Sequence, residues 1–125
     1  MIKKVLISDA LVDGWQKVFA EEGDLQADVK TGLSEEMLCE VIGDYNGLIV
    51  RSATQVTKKV LEAGKQLRVI GRAGAGVDNI DIEVATERGI VVINAPGANT
   101  ISTAEHTLAM LLALSRNIPQ ATASV

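Results

Sequence analysis

LRVIGRAGAGVDNIDIEVATERGIVVINAPG, residues 67–97, decides the fold of this chain. An apolar segment, Leu67-Arg68-Val69-Ile70, runs into a glycine-rich loop, Gly71-Arg72-Ala73-Gly74-Ala75-Gly76-Val77-Asp78-Asn79. A helix-like stretch over 82–88 follows, then Gly89 as its C-cap and a second solid run, Ile90-Val91-Val92-Ile93. The two apolar runs show no polar alternation, which suits parallel strands covered on both faces. Strand, loop, helix, strand is therefore a βαβ unit with a right-handed crossover.

The same beat extends outward in both directions. Strands are expected at 4–7, 25–30, 47–51, 67–71 and 90–94. Helices are expected at 13–22, 35–45, 58–65, 82–88 and 102–117. Ser34 stands as N-cap of the second helix, with Glu35 and Glu36 at the positive end of its dipole. Ser102-Thr103-Ala104-Glu105 forms a capping box for the last, and Pro119 marks its end. Five such units predict a doubly wound, five-stranded parallel sheet in the order 2-1-3-4-5, of flavodoxin-like type, plus a long C-terminal helix. Ligands of such sheets bind beyond the carboxyl ends of the strands. Arg51, the 71–79 loop and the segment 94–97 all fall there.

The glycines of the loop let the backbone turn sharply and approach a ligand closely. Arg72 adds a fork of donors for a carboxylate or phosphate, and Arg51 does the same at the end of the third strand. The expected ligand is a small polyanionic metabolite. A dinucleotide fingerprint is excluded at this loop, because Gly74-x-Gly76 is followed by Asn79 where G-x-G-x-x-G needs its third glycine. A tight turn without a ligand remains the plain alternative for the loop, and a surface ion pair the plain alternative for either arginine.

The 125 residues fit one folding unit, with 47% apolar and 22% charged residues. A net charge of −4 and the lack of a basic stripe with interleaved aromatics exclude the usual nucleic-acid surface. Cys39 stands alone, so there is no disulfide framework and no cysteine metal pattern, which fits a reducing cytoplasm. The N-terminal apolar run stops at Ser8-Asp9, too short for a signal peptide, and the run over 108–114 is too short to span a membrane. That run is apolar all round, so a partner is expected to cover its outer side, either a further domain or another copy of the chain. The last residues, 121–125, offer no closing element, and the chain reads as cut.

With these segments in hand, the chain resembles the N-terminal substrate-binding part of the D-3-phosphoglycerate dehydrogenases, a branch of the D-2-hydroxyacid dehydrogenase family. The similar segments are 3–9, 47–54, 67–97 and 102–120; Val50-Arg51-Ser52 and Ile70-Gly71-Arg72-Ala73-Gly74 point to the phosphoglycerate branch. The resemblance implies NAD-dependent oxidation of 3-phosphoglycerate to 3-phosphohydroxypyruvate, the opening of serine biosynthesis. It implies substrate contacts at Arg51, Ser52, Arg72, Gly74, Ala75, Gly76 and Asn99, and cofactor contacts at Ala75 and Thr103. Asn99 and Thr103 are equally readable as turn and first-turn helix residues.

The resemblance divides the chain into a substrate domain, 1–98, and an inter-domain helix, 99–125, leading to a nucleotide-binding domain. The family's G-x-G-x-x-G loop and its catalytic arginine, glutamate and histidine match no residue here. His106, inside the last helix, is not that histidine. No catalytic residue and no metal ligand is expected in this chain, which alone is expected to lack dehydrogenase activity. The chain is expected to form a homo-oligomer through its apolar C-terminal helix. Two alternatives stand beside this reading: part of another D-2-hydroxyacid dehydrogenase, and a standalone, non-catalytic flavodoxin-like binding module. Against the latter, no aspartate ends the third strand and no phosphate loop follows the first.

Overall fold

The computed structural model describes residues 3–10, 14–20, 23, 25–74, 78–95 and 103–114. Five strands, β1 (Lys3–Ile7), β2 (Leu25–Val29), β3 (Gly47–Val50), β4 (Val69–Ala73) and β5 (Val91–Ala95), form one sheet in the order β2-β1-β3-β4-β5. Every neighbouring pair is parallel. The predicted order holds, and the apolar runs Val5-Leu6-Ile7 and Leu48-Ile49-Val50 are buried, as strands covered on both faces must be.

Two apolar layers provide that cover. Leu6, Leu48, Val50 and Ile70 face Leu38 of α2 (Glu35–Val41), Val60 and Leu61 of α3 (Lys58–Ala63) and Ala85 of α4 (Ile82–Glu87). Val5, Ile7, Ile49 and Val69 face Phe19 of α1 (Trp15–Ala20) and Ala104, Leu108 and Leu111 of α5, the helix over 103–114. Each Val, Leu, Ile or Phe among them contributes about 1.5–3 kcal/mol of apolar burial. Tyr45 closes the first layer, its hydroxyl donating to Asp28 Oδ2 at 2.7 Å. That bond holds the Asp28 carboxyl below its ordinary range, while burial, and then Asp28 itself, pushes the Tyr45 phenol above its own.

Most element boundaries differ from the sequence reading by one or two residues, and three of the differences have a clear local reason. The second helix ends at Val41 and tightens into a 3₁₀ turn, Ile42–Asp44, where Gly43 weakens α-helical continuation. β3 stops at Val50, because the Arg51 amide is taken by the Asp9 carboxylate instead of a neighbouring strand. β4 lies two residues later than the glycine pattern suggests. Leu67 belongs to the turn that leaves α3, its amide donating to the Gly64 carbonyl, while Arg72 and Ala73 continue the ladder against Asn94 and Ala95.

Gly71 does not end its strand. It gives α5 room to approach, since a Cβ there would overlap Thr107 Oγ1 and lie 3.1 Å from Thr103 Cγ2. Ser34 caps α2 as expected, accepting from the Met37 amide. Among the described residues, no helix is long and apolar enough to cross a membrane.

Candidate functional site at the carboxyl edge of the sheet

The segment that follows β3 is shaped by residues from the loops after β1 and β4. Asp9, two residues beyond β1 and only 7% exposed, accepts the Arg51 amide at 2.7 Å and the Thr54 amide at 3.1 Å on Oδ2. Its Oδ1 accepts the Thr54 hydroxyl at 2.7 Å. The Ser8 hydroxyl shares a 2.8 Å hydrogen bond with that same Thr54 hydroxyl. From the other side, the Asn79 amide Nδ2 donates to the Arg51 carbonyl at 2.7 Å and the Thr54 carbonyl at 2.6 Å. The Asn79 carbonyl accepts the Val56 amide, and Val56 bridges to Ile80 in parallel register. Three edge loops are thus joined through hydrogen bonds.

Within this frame Arg51 is half-buried, with one long contact of 3.5 Å from Nη1 to the Ala10 carbonyl. Ser52 and Ala53 are exposed. Arg72 pairs in register with Val50 on β3 and Asn94 on β5. By strand alternation it shares the face of Ile70, opposite Gly71 and α5. Its Nε and Nη1 are buried and meet no acceptor among the described residues. A guanidinium desolvated without a partner is costly and is a strong prospective donor to an anion.

Gly74 takes φ 152°, a backbone that side-chain-bearing residues rarely adopt, so the chain can leave β4 sharply there. Asp78 beyond it is exposed. Ala75, Gly76, Pro96, Gly97 and Asn99 lie outside the described residues.

Thr103 is 1% exposed and packed towards Gly71, and its carbonyl accepts the Thr107 hydroxyl at 2.7 Å. The outer side of α5 carries exposed His106 and Ala109, which line an apolar groove with Ile93, Met110 and Ala113. The helix is therefore covered on one side by the sheet and open on the other, as its unbroken apolar run suggests.

Sequence reasoning missed Asp9 and Asn79. Asp9 reads locally as the polar stop of an apolar run, and Asn79 as a missing glycine. An Asx side chain just past a buried parallel strand was the available signal, since such residues bond loop backbone. Their partners lie 25 to 45 residues away, beyond local inspection.

Known proteins match the chain over nearly all of its length. The family model for the D-isomer specific 2-hydroxyacid dehydrogenase, catalytic domain, matches residues 5–124. The D-3-phosphoglycerate dehydrogenases of Methanocaldococcus jannaschii and Homo sapiens are 53% and 51% identical over 98% and 99% of this chain. The chain spans about a quarter of their length, 23% in both cases. Among solved structures, the PH0520 protein from Pyrococcus horikoshii is 34% identical, with a TM-score of 0.71 over 98% of this chain and 36% of that one. The NAD+-bound 3-phosphoglycerate dehydrogenase of Entamoeba histolytica is 31% identical, with a TM-score of 0.69 over 78% of this chain and 34% of that one. With the family model matching residues 5–124, nearly the whole chain, the chain belongs to the D-isomer specific 2-hydroxyacid dehydrogenase family.

Proposed function

We propose that the chain is the substrate-binding part of a cytoplasmic, NAD-dependent dehydrogenase that oxidises 3-phosphoglycerate to 3-phosphohydroxypyruvate. On this reading residues 1–98 are the substrate domain, and residues 99–125 lead towards a nucleotide-binding domain. The observation that carries it is Arg72 at the carboxyl edge of the sheet, whose buried Nε and Nη1 meet no acceptor among the described residues. A substrate with a phosphate and a carboxylate offers two anionic ends. Arg51, Ser52 and Arg72 are assigned to those ends, with backbone N–H groups of Gly74, Ala75 and Gly76 on the carboxylate and Asn99 as a further contact. The names of the relatives above support the same substrate.

Oxidation removes a hydride from C2 and a proton from its hydroxyl. NAD, when bound, supplies the hydride acceptor. The residues present do not fit its pyrophosphate at the glycine loop. Asn79 fills the place of the third glycine, and its side chain is already committed to the Arg51 and Thr54 carbonyls. Ala75 and Thr103 are assigned to the nicotinamide side of the substrate, and the bulk of the cofactor to the remaining length of the relatives. The chain alone is accordingly assigned binding and orientation, without hydride transfer.

The test is an NMR titration of the chain with 3-phosphoglycerate, and with NAD separately. Shifts at Arg51, Arg72–Gly76 and 94–99 with little response to NAD are expected. Arg51→Ala is expected to weaken binding by about 1.5 kcal/mol, the lower range for a charged hydrogen bond on a half-solvated side chain. No response to phosphoglycerate, or a response only to other 2-hydroxy acids, would overturn the substrate assignment.

A second copy of the chain is the proposed occupant of the apolar groove along α5. Sedimentation at high concentration is expected to show a dimer, and a clean monomer would count against it.

A further inference from the structure

We propose that Asp9 and Asn79 are positioning residues that set the conformation of segment 51–54, and thereby aim Arg51 at the anion. The inference rests on the reading of Arg51 as a substrate contact. Between Arg51 and Thr54 there is no backbone hydrogen bond internal to the segment among the described residues, so its shape is imposed from outside. Two side chains impose it. The Asp9 carboxylate takes the N–H at each end, and the Asn79 amide takes the C=O at each end. The Thr54 hydroxyl closes onto the remaining Asp9 oxygen. Ser52 and Ala53 are left exposed between the two anchored ends.

The polarity of this arrangement is fixed by chemistry. A carboxylate only accepts, so it suits the two amides. At position 79 the group must donate to two carbonyls, which only the amide nitrogen can do. Turning the amide over would set oxygen against both carbonyls. Its other atom, Oδ1, is buried and meets no donor among the described residues. Asn79 therefore keeps an unsatisfied acceptor in exchange for two donor bonds to the segment, which marks those bonds as its role.

Asp9 and Asn79 are 7% and 8% exposed, so water does not readily replace them. They belong to the loops after β1 and β4, which the sheet places on either side of β3. The segment carrying Arg51 is thus held by the two neighbouring strands of its own sheet.

Hydrogen exchange and ligand titration of the chain test this together. In the unaltered chain the Arg51 and Thr54 amides are expected to exchange at least about tenfold more slowly than those of Ser52 and Ala53, as bonded buried amides do. Asp9→Ala is expected to erase that difference and raise the Kd for 3-phosphoglycerate about tenfold, while the Leu48 and Ile49 amides keep their protection. Asp9→Asn keeps one acceptor oxygen for the two amides, and its NH2 can donate to the Thr54 hydroxyl. It is expected to restore binding to within about threefold of the unaltered chain, a rescue that a simple need for charge would not give.

Equal exchange at all four positions of the unaltered chain would overturn the proposal, and that comparison stands even where Asp9→Ala fails to fold. An unchanged Kd in a folded Asp9→Ala chain would overturn it as well. If the unaltered chain binds no 3-phosphoglycerate, the substrate reading fails, and the exchange pattern alone decides whether the segment is held as described.

Discussion

Gly71→Ala is expected to lower the stability of the chain by about 3 kcal/mol, the upper part of the range for overpacking a filled interior. The added methyl would occupy the space of Thr107 Oγ1 and press on Thr103 Cγ2. Neither neighbour yields easily. Thr107 is fully buried on α5, and its hydroxyl is bonded to the Thr103 carbonyl one turn back. Rotating that hydroxyl away breaks the bond, and moving the helix away strips Ala104, Leu108 and Leu111 from the sheet. Urea unfolding measures the loss. Thr107→Ala in the same chain removes the obstructing group, so the double variant is expected to recover most of the stability and to depart strongly from additivity. A Gly71→Ala chain as stable as the original would mean that α5 does not rest on this glycine.

Arg72→Met is expected to change binding and stability in opposite directions. Binding of 3-phosphoglycerate should weaken by about 3 kcal/mol, roughly a hundredfold, since a charged hydrogen bond formed by desolvated nitrogens lies at the strong end of the range. Stability should rise by about 1 kcal/mol. The buried Nε and Nη1 have no acceptor among the described residues, and methionine keeps the apolar stem while removing them. Calorimetric titration and urea unfolding of one variant read both effects. A fall in stability would show that the guanidinium already serves the fold, and unchanged binding would remove Arg72 from the substrate site.

The strand order was legible because the strands at 5–7, 48–50 and 90–93 are solid apolar runs, a pattern with few alternatives to a covered parallel sheet. The candidate site was proposed on the same pattern, since loops at the carboxyl edge bind ligands in such sheets. What escaped was non-local. Gly71 looked like a loop residue because glycine weakens strands, yet here it admits a helix that begins more than thirty residues later. Asp9 and Asn79 looked like punctuation. Their bonding partners become visible only once β1, β3 and β4 lie side by side. The two arginines were visible from residue type alone, whereas the burial of Arg72 Nε and Nη1 needed the packed sheet.

Most surface connections tolerate a change of length, because each added residue costs little closure entropy. The exposed turn at Thr31 and Gly32, ahead of α2, is such a place. The segment from Arg51 to Thr54 is not, for its two ends are tied to the same two side chains across a fixed gap. One inserted residue would lift either Arg51 or Thr54 out of reach of both anchors at once. An inserted residue is therefore expected to be tolerated at the first turn and to disrupt the second, where chain length matters as much as any side chain.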